Sequence, residues 1–246
     1  MPSGSPILRS RCFVLPKRGN SQQEYEDAIA SNDSTGRYAV ADGASESICA
    51  GEWAKLLVDA FVAEPPSEEN FSDWLDVIQN RWQSDVGNKP VPWYIEEKLR
   101  DGAFATLLGL VIEAPNGVDG VFWHAVAVGD CCLFRVRADA PIRAFPMNSA
   151  ASFGTRPDLL GSRKRGAARL QFSSGSVQNG DRLLLMTDAV AQWFFAEHEA
   201  GRNPWNELAS LTSDGFADWV NTRRRTRQLK NDDVTLLEID VCAANE

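Results

Sequence analysis

The chain has 246 residues, with 34 acidic and 25 basic side chains and a formal net charge of −9. Its 43% hydrophobic and 24% charged content excludes a disordered, collagen-like or coiled-coil chain. The acidity argues against a general binder of nucleic acid or anionic membranes, and no apolar run reaches the ~18–20 residues needed to span a bilayer. The N-terminal stretch Met1-Pro-Ser-Gly-Ser-Pro-Ile-Leu-Arg-Ser10 has no apolar core of the kind a secretory signal requires. Five cysteines, an odd number without a C-x-x-C pair, argue against a disulfide scaffold and for a reducing compartment, so a cytoplasmic protein is expected. No repeat or low-complexity linker divides the sequence, and a single domain over residues 1–246 is expected.

The first predicted element is a strand from Ile7 to Leu15, ended by Pro16-Lys-Arg-Gly-Asn20. A short strand Ala28-Ile-Ala30 follows Asp27, and Arg37-Tyr-Ala-Val-Ala41 leads into Asp42-Gly43. Ala50, Ala54, Leu57, Val58 and Phe61 recur at helical spacing, and Phe71, Trp74, Leu75, Ile78, Trp82 and Val86 form a second such stripe. Strands are predicted over Ala103–Ile112, Gly120–Val128 and Cys132–Val136, punctuated by Pro115-Asn-Gly117 and Gly129-Asp130. An irregular segment of about 146–169 follows, long enough to suggest a flexible functional loop. Arg182–Met186 is a buried strand, Ala189–Glu199 and Asp214–Gln228 are helical, and Val234–Val241 is a final strand. Strands cluster early, centrally and late with helices between them, which is an α+β layout of antiparallel sheets.

The acids are informatively placed. Asp27, Asp42, Asp130, Asp188 and Asp232 each sit at the edge of an apolar strand. One such acid is ordinarily a turn or cap residue, because a carboxylate beside a core strand is costly without a partner. Five of them along the chain suggest convergence on one site. Carboxylates with few His or Cys residues select hard cations such as Mg²⁺ or Mn²⁺, and two such ions sharing a carboxylate can bind a phosphate and activate a water for in-line attack.

Glu26-Asp-Ala28, Ala41-Asp-Gly43, Val128-Gly-Asp130, Met186-Thr-Asp188 and Asp232-Asp-Val-Thr235 resemble, in order and approximate spacing, motifs of the type 2C metal-dependent protein phosphatases (PPM), in a divergent bacterial-type branch. In that family they read N-E-D, A-D-G, V-G-D-S, S-D-G and D-N-x-T. Gly102-Ala-Phe-Ala-Thr106 is similar to the family's G-[ST]-T segment. The resemblance implies a four-layer α-β-β-α sandwich, two antiparallel sheets flanked by helices. It implies that Asp42 bridges two catalytic ions, that the Gly43 carbonyl contacts one, and that Asp188 and Asp232 hold the other. Asp27 would act through bound water, and Asp130 would help hold a third ion.

The sequence departs from this pattern where phosphate is gripped. Gln22 stands where the family has an arginine, with Lys17 and Arg18 the nearest substitutes, and Asp42-Gly-Ala-Ser-Glu46 lacks the later glycines of the family loop. The C-x5-R spacing of cysteine phosphatases occurs at Cys131/Arg137 and at Cys12/Arg18, but in strand-like sequence without a phosphate loop, so these cysteines read as buried small hydrophobes. His124 in its strand reads as a core residue, with a general acid as the alternative. Two basic clusters interrupt the acidity. Arg223-Arg-Arg225 with Arg227 and Lys230 reads as an exposed helix face. Arg163-Lys-Arg165 with Arg169 lies where the family carries a flap, and it is a candidate dock for an acidic or phosphorylated protein.

The expected activity is Mg²⁺- or Mn²⁺-dependent hydrolysis of phosphoserine and phosphothreonine in proteins by a monomer, opposing a cognate kinase. A pseudophosphatase that binds a phosphoprotein, or a small-molecule phosphatase on the same fold, stays open as an alternative.

Overall fold

The computed structural model describes residues 6–87, 100–115, 119–138, 140–154, 156–164 and 168–243. In chain order these form β1 (Ile7–Leu15), β2 (Ala28–Asn32), β3 (Arg37–Ala41), α1 (Ala50–Ala63), α2 (Phe71–Trp82), β4 (Phe104–Ala105), β5 (Leu107–Glu113), β6 (Val121–Val128), β7 (Cys132–Arg137), β8 (Ala140–Phe145), β9 (Leu160–Gly161), β10 (Gln171–Val177), β11 (Arg182–Met186), α3 (Asp188–Glu199), α4 (Pro204–Ala209), α5 (Ser213–Arg225) and β12 (Val234–Cys242). Among the described residues no helix is long and apolar enough to cross a membrane.

Two five-stranded antiparallel sheets carry the structure, in the orders β1-β12-β11-β7-β8 and β10-β6-β5-β3-β2. Alternation along each strand sends side chains to opposite faces, and here both faces are apolar. Tyr38 and Val40 join Leu108, Leu110, Leu183, Leu185, Leu237 and Ile239 in a core between the sheets. Ala39 and Ala41, one residue out of phase, lie under α1 and α2 with Trp53, Leu57, Phe61 and Trp82. Leu184 and Met186 do the same on the far side, beneath α3, α4 and α5. Three apolar layers therefore separate four layers of secondary structure, as expected for an α-β-β-α sandwich.

The predicted elements recur with two kinds of difference. The segment expected as one strand from residue 103 is broken at Thr106, whose backbone N–H turns to the Asp42 carbonyl at 2.8 Å. Three strands, β8, β10 and the two-residue β9, and the short helix α4 have no counterpart in the sequence pattern. β8 and β10 are sheet edges, where one-sided pairing tolerates the proline of Ala-Pro-Ile-Arg-Ala-Phe and the polar run Gln-Phe-Ser-Ser-Gly-Ser-Val. The irregular segment 146–169 is pinned at β9, which pairs antiparallel with β4.

Close approach of α1 to its sheet depends on Gly109 in β5, where a Cβ would overlap the Phe61 ring. Gly109→Ala is expected to destabilise the protein by about 1–3 kcal/mol. Phe61→Leu in the same chain should recover part of that loss in urea unfolding; no recovery would place the strain elsewhere.

Candidate metal centre

The strand registers bring the five aspartates to one end of the sandwich. In one sheet Ala28 faces Ala41 and Leu107 faces Val128, so Asp27, Asp42 and Asp130 flank neighbouring strand ends. In the other, Met186 faces both Cys132 and Leu236, which sets Asp188 just past β11 and Asp232 just before β12. Asp188 is the first residue of α3, where the positive end of the helix favours an anion.

Asp27 is buried. Its Oδ2 accepts hydrogen bonds from the Thr187 hydroxyl at 3.0 Å and the Thr235 hydroxyl at 2.8 Å, while Oδ1 has no hydrogen-bond partner. Thr187 and Thr235 are cross-linked in turn, the Thr235 N–H donating to Thr187 Oγ1 at 3.0 Å. Burial, then Asp233 and Asp188, push the Asp27 carboxyl well above its ordinary range despite these hydroxyls. Asp42 is also pushed well above it, by burial and then by Asp27, Asp188, Asp232 and Asp130. Asp130 rises to about 6, by burial and then by Asp188, with Lys230 opposing. Asp188 is raised by burial, again against Lys230. One Asp130 oxygen and one Asp188 oxygen are likewise buried without a partner.

Gly43 lies beside Asp42 in an isolated bridge with Ala105, and a Cβ there would lie 2.6 Å from the Glu26 carbonyl. Only glycine lets the Asp42 turn approach the Asp27 segment this closely. Cys131 is buried as the sequence suggests, and so is Cys132, with thiols pushed up by burial and Cys131 Sγ 3.0 Å from Thr106 Oγ1. Cys12 is not a buried hydrophobe but an exposed residue of β1, on the sheet-edge strand.

Other residues fall differently. Gln22 is exposed in a short turn over Gln22–Glu24. Lys17 Nζ donates to Glu26 at 3.1 Å and to Ser45 at 2.9 Å, and Arg18 is an exposed side chain whose backbone is clasped by Asn231. His124 is not a core residue: it is exposed on β6, 3.5 Å from Glu113. The Arg223–Lys230 cluster is not a free solvated face. Arg223 stacks 4.3 Å from Trp219 and pairs with Glu207, and Arg224 donates to the carbonyls of Pro16 (3.0 Å) and Asp232.

Arg163 lies over the Trp82 ring at 5.9 Å, and Lys164 pairs with Asp76 at 2.5 Å. Arg165 falls outside the described residues. The flap is tied to the site by backbone: Ser162 N–H donates to the Ala103 carbonyl at 2.8 Å, and Ala44 N–H to that of Phe104 at 2.9 Å.

Thr187, Thr235, Asp233 and Lys230 escaped the sequence reading. Asp233 accepts the backbone N–H of Lys17 at 2.6 Å and of Glu26 at 2.7 Å, tying the segment before Asp27 to that before β12. Its adjacency to Asp232 was the available signal. Lys230 Nζ contacts Asp188 Oδ2 and lies 3.5 Å from Asp232 Oδ2. Among the described residues no three His, Cys, Asp or Glu side chains converge into a ready-made cage. The donor set nonetheless fits a hard divalent cation: all-carboxylate, mutually repelling, with three unpartnered buried oxygens.

The chain is an α-β-β-α sandwich whose acidic strand ends gather at one edge. The sequence profile described as Protein phosphatase 2C matches residues 17–233, and the chain belongs to that family. The structure is similar to the Mycobacterium tuberculosis serine/threonine phosphatase PstP/Ppp, with TM-score 0.61 and 16% identity over 96% of this chain and 99% of that one. It is similar to the PstP catalytic domain in complex with 2 manganese ions (TM-score 0.60, 17% identity, 97% and 100% covered). It is also similar to PppA of Pseudomonas aeruginosa, described as a regulatory component of T6SS (TM-score 0.59, 16% identity, 96% and 98% covered). No curated protein sequence is significantly similar to the chain.

Because Asp130 binds its proton more tightly when folded, its contribution to stability is fully present below the ordinary value of 3.8 and is lost as pH rises through about 6. Urea unfolding in EDTA should therefore show stability falling across that window. Asp130→Asn should flatten the fall and gain on the order of 1–3 kcal/mol near neutral pH. An unchanged profile would contradict the assignment.

Proposed function

We propose that the chain is a Mg²⁺- or Mn²⁺-dependent phosphatase acting on phosphoserine and phosphothreonine in proteins, with residues 1–246 working as one catalytic domain in the cytoplasm. The observation that carries this reading is the convergence of five carboxylates, drawn from both sheets, three of which keep a buried unpartnered oxygen. A hydrogen-bonded structural cluster would satisfy those oxygens; a cation site leaves them open.

Asp42, the Gly43 carbonyl, Asp188 and Asp232 would hold two ions, with Asp27 and Asp130 completing the set toward bound water and a third ion. Such ions, when bound, supply Lewis-acid activation of water and of the phosphoryl group. The residues of the chain do the rest. Thr187 and Thr235 hold Asp27 in one orientation through its Oδ2, which leaves the buried Oδ1 without a hydrogen bond among the described residues. The same carboxylate would act through bound water, and its burial among other aspartates raises its affinity for a proton while no cation is present. Gly43 keeps the Asp42 turn against the Asp27 segment, and Asp233 fixes the segment that enters it.

Arg163 and Lys164, with Arg165, would dock an acidic or phosphorylated substrate on the flap. Lys164 is 72% exposed at its side chain, so its pair with Asp76 is readily exchanged for a substrate carboxylate or phosphate. Lys17 and Arg18 would lie at the entrance, Lys17 as a partner of Glu26 that a substrate phosphate could recruit.

A second reading, a pseudophosphatase that binds a phosphoprotein without turnover, is favoured by the exposed Gln22 in place of a gripping arginine and by Lys230 between two of the ligands.

Hydrolysis of p-nitrophenyl phosphate and of a phosphothreonine peptide is expected with Mn²⁺, to be abolished by EDTA, and to fall by about 10²–10³ in Asp42→Ala and Asp188→Ala. No metal-dependent turnover of either substrate would favour the binding module. Turnover of p-nitrophenyl phosphate alone would favour a small-molecule phosphatase.

Replacing Arg163 and Lys164 by Ala is expected to lower kcat/KM a few-fold, on the order of 1 kcal/mol, for an acidic phosphoprotein and by less for p-nitrophenyl phosphate. An equal fall on both substrates would remove the docking role.

A further inference from the structure

Among the described residues, one cation lies inside the carboxylate group. Lys230 sits in the turn that follows α5, at the residue but one before Asp232. Its ammonium touches Asp188 Oδ2 and lies 3.5 Å from Asp232 Oδ2, so it occupies the space between the two side chains proposed to hold one of the ions. Lys17, the other nearby ammonium, is engaged by Glu26 and Ser45 instead. The contact is sterically reversible: the Lys230 side chain is 46% exposed, and its flexible stem can carry the ammonium into solvent. A divalent ion and an ammonium cannot share two carboxylates at this distance, because like charges a few ångströms apart repel strongly in a partly buried site.

We infer that Lys230 is a built-in competitor for the metal, its ammonium bridging Asp188 and Asp232 in the metal-free protein and withdrawing when a divalent ion takes its place. The residue thereby raises the concentration of metal at which the site fills, and it restrains the carboxylates while the site is empty. This inference rests on the reading of the aspartates as a metal centre, and the experiment separates the two.

Mn²⁺ binding to the metal-free full chain is followed by the loss of the solution Mn²⁺ electron-spin-resonance signal, for the wild type, Lys230→Met, Lys230→Gln and Lys230→Arg. The neutral variants are expected to bind at least about tenfold more tightly, and the arginine variant to stay near the wild type. The melting temperature without metal should fall in Lys230→Met, and its rise on adding Mn²⁺ should exceed that of the wild type. Wild-type protein offers an independent readout: Mn²⁺ should speed acetylation of the Lys230 amine by acetic anhydride, read by peptide mass spectrometry, because the ammonium leaves its carboxylates. Equal or weaker Mn²⁺ binding by folded neutral variants overturns the competitor role and leaves the metal centre standing. So does unchanged Lys230 acetylation in Mn²⁺-loaded wild type, which decides the matter even where the neutral variants do not fold. No Mn²⁺ binding by any form overturns both.

Discussion

Mutual repulsion among buried carboxylates is the constraint around which this protein is organised. Asp27, Asp42, Asp130 and Asp188 all have their carboxyls pushed upward, first by burial and then by neighbouring aspartates, Asp232 and Asp233 among them. Such a cluster stores free energy that a folded chain must offset elsewhere or that a bound cation must neutralise. The two hydrophobic sheets do the offsetting. Their three apolar layers hold the strand ends in place whether or not the charges at those ends are content.

The polar frame around the cluster explains how the carboxylates keep defined positions. Thr187 and Thr235 belong to neighbouring strand ends, yet both donate to one oxygen of Asp27 across the gap between sheets. Asp233 fastens the segment after β1 to the one before β12 by two backbone hydrogen bonds. Arg224 adds a clamp from α5, reaching the carbonyls of Pro16 and Asp232. The Asp233 and Arg224 bonds fix ligands indirectly, through the backbone that carries them, while the two threonines hold Asp27 by one oxygen and leave the other without a hydrogen bond. That division of labour is what a preorganised cation site requires.

Most strands were legible because their periodicity is unambiguous once both faces are apolar, as in Leu183–Met186 and Val234–Val241. The edge strands β8 and β10 were not, since their pairing is supplied by β7 and β6 and needs little from their own residues. Gly175 illustrates the point: it reads as a breaker, but it lies where a Cβ would approach the Trp123 indole nitrogen to 2.8 Å. His124 was misjudged for the converse reason. It stands in an apolar strand, and its position on the outward face lies beyond the cover of the helices.

The sequence by itself determined the α+β layout of antiparallel sheets and the identity of the acids, because strand periodicity and the Asp positions at strand edges are properties of the local chain; the four-layer sandwich came only with the family resemblance. Only the tertiary structure decided what stands among those acids. Lys230 reads as one more cation in a basic stretch, and Thr187 and Thr235 read only as positions within the Met186-Thr-Asp188 and Asp232-Asp-Val-Thr235 motifs, with no partner named. Their roles depend on contacts between residues far apart in sequence, such as Asp27 with Thr235 and Asp188 with Lys230. A charge takes its meaning from the partners that folding places within a few ångströms, and no local pattern encodes those distances.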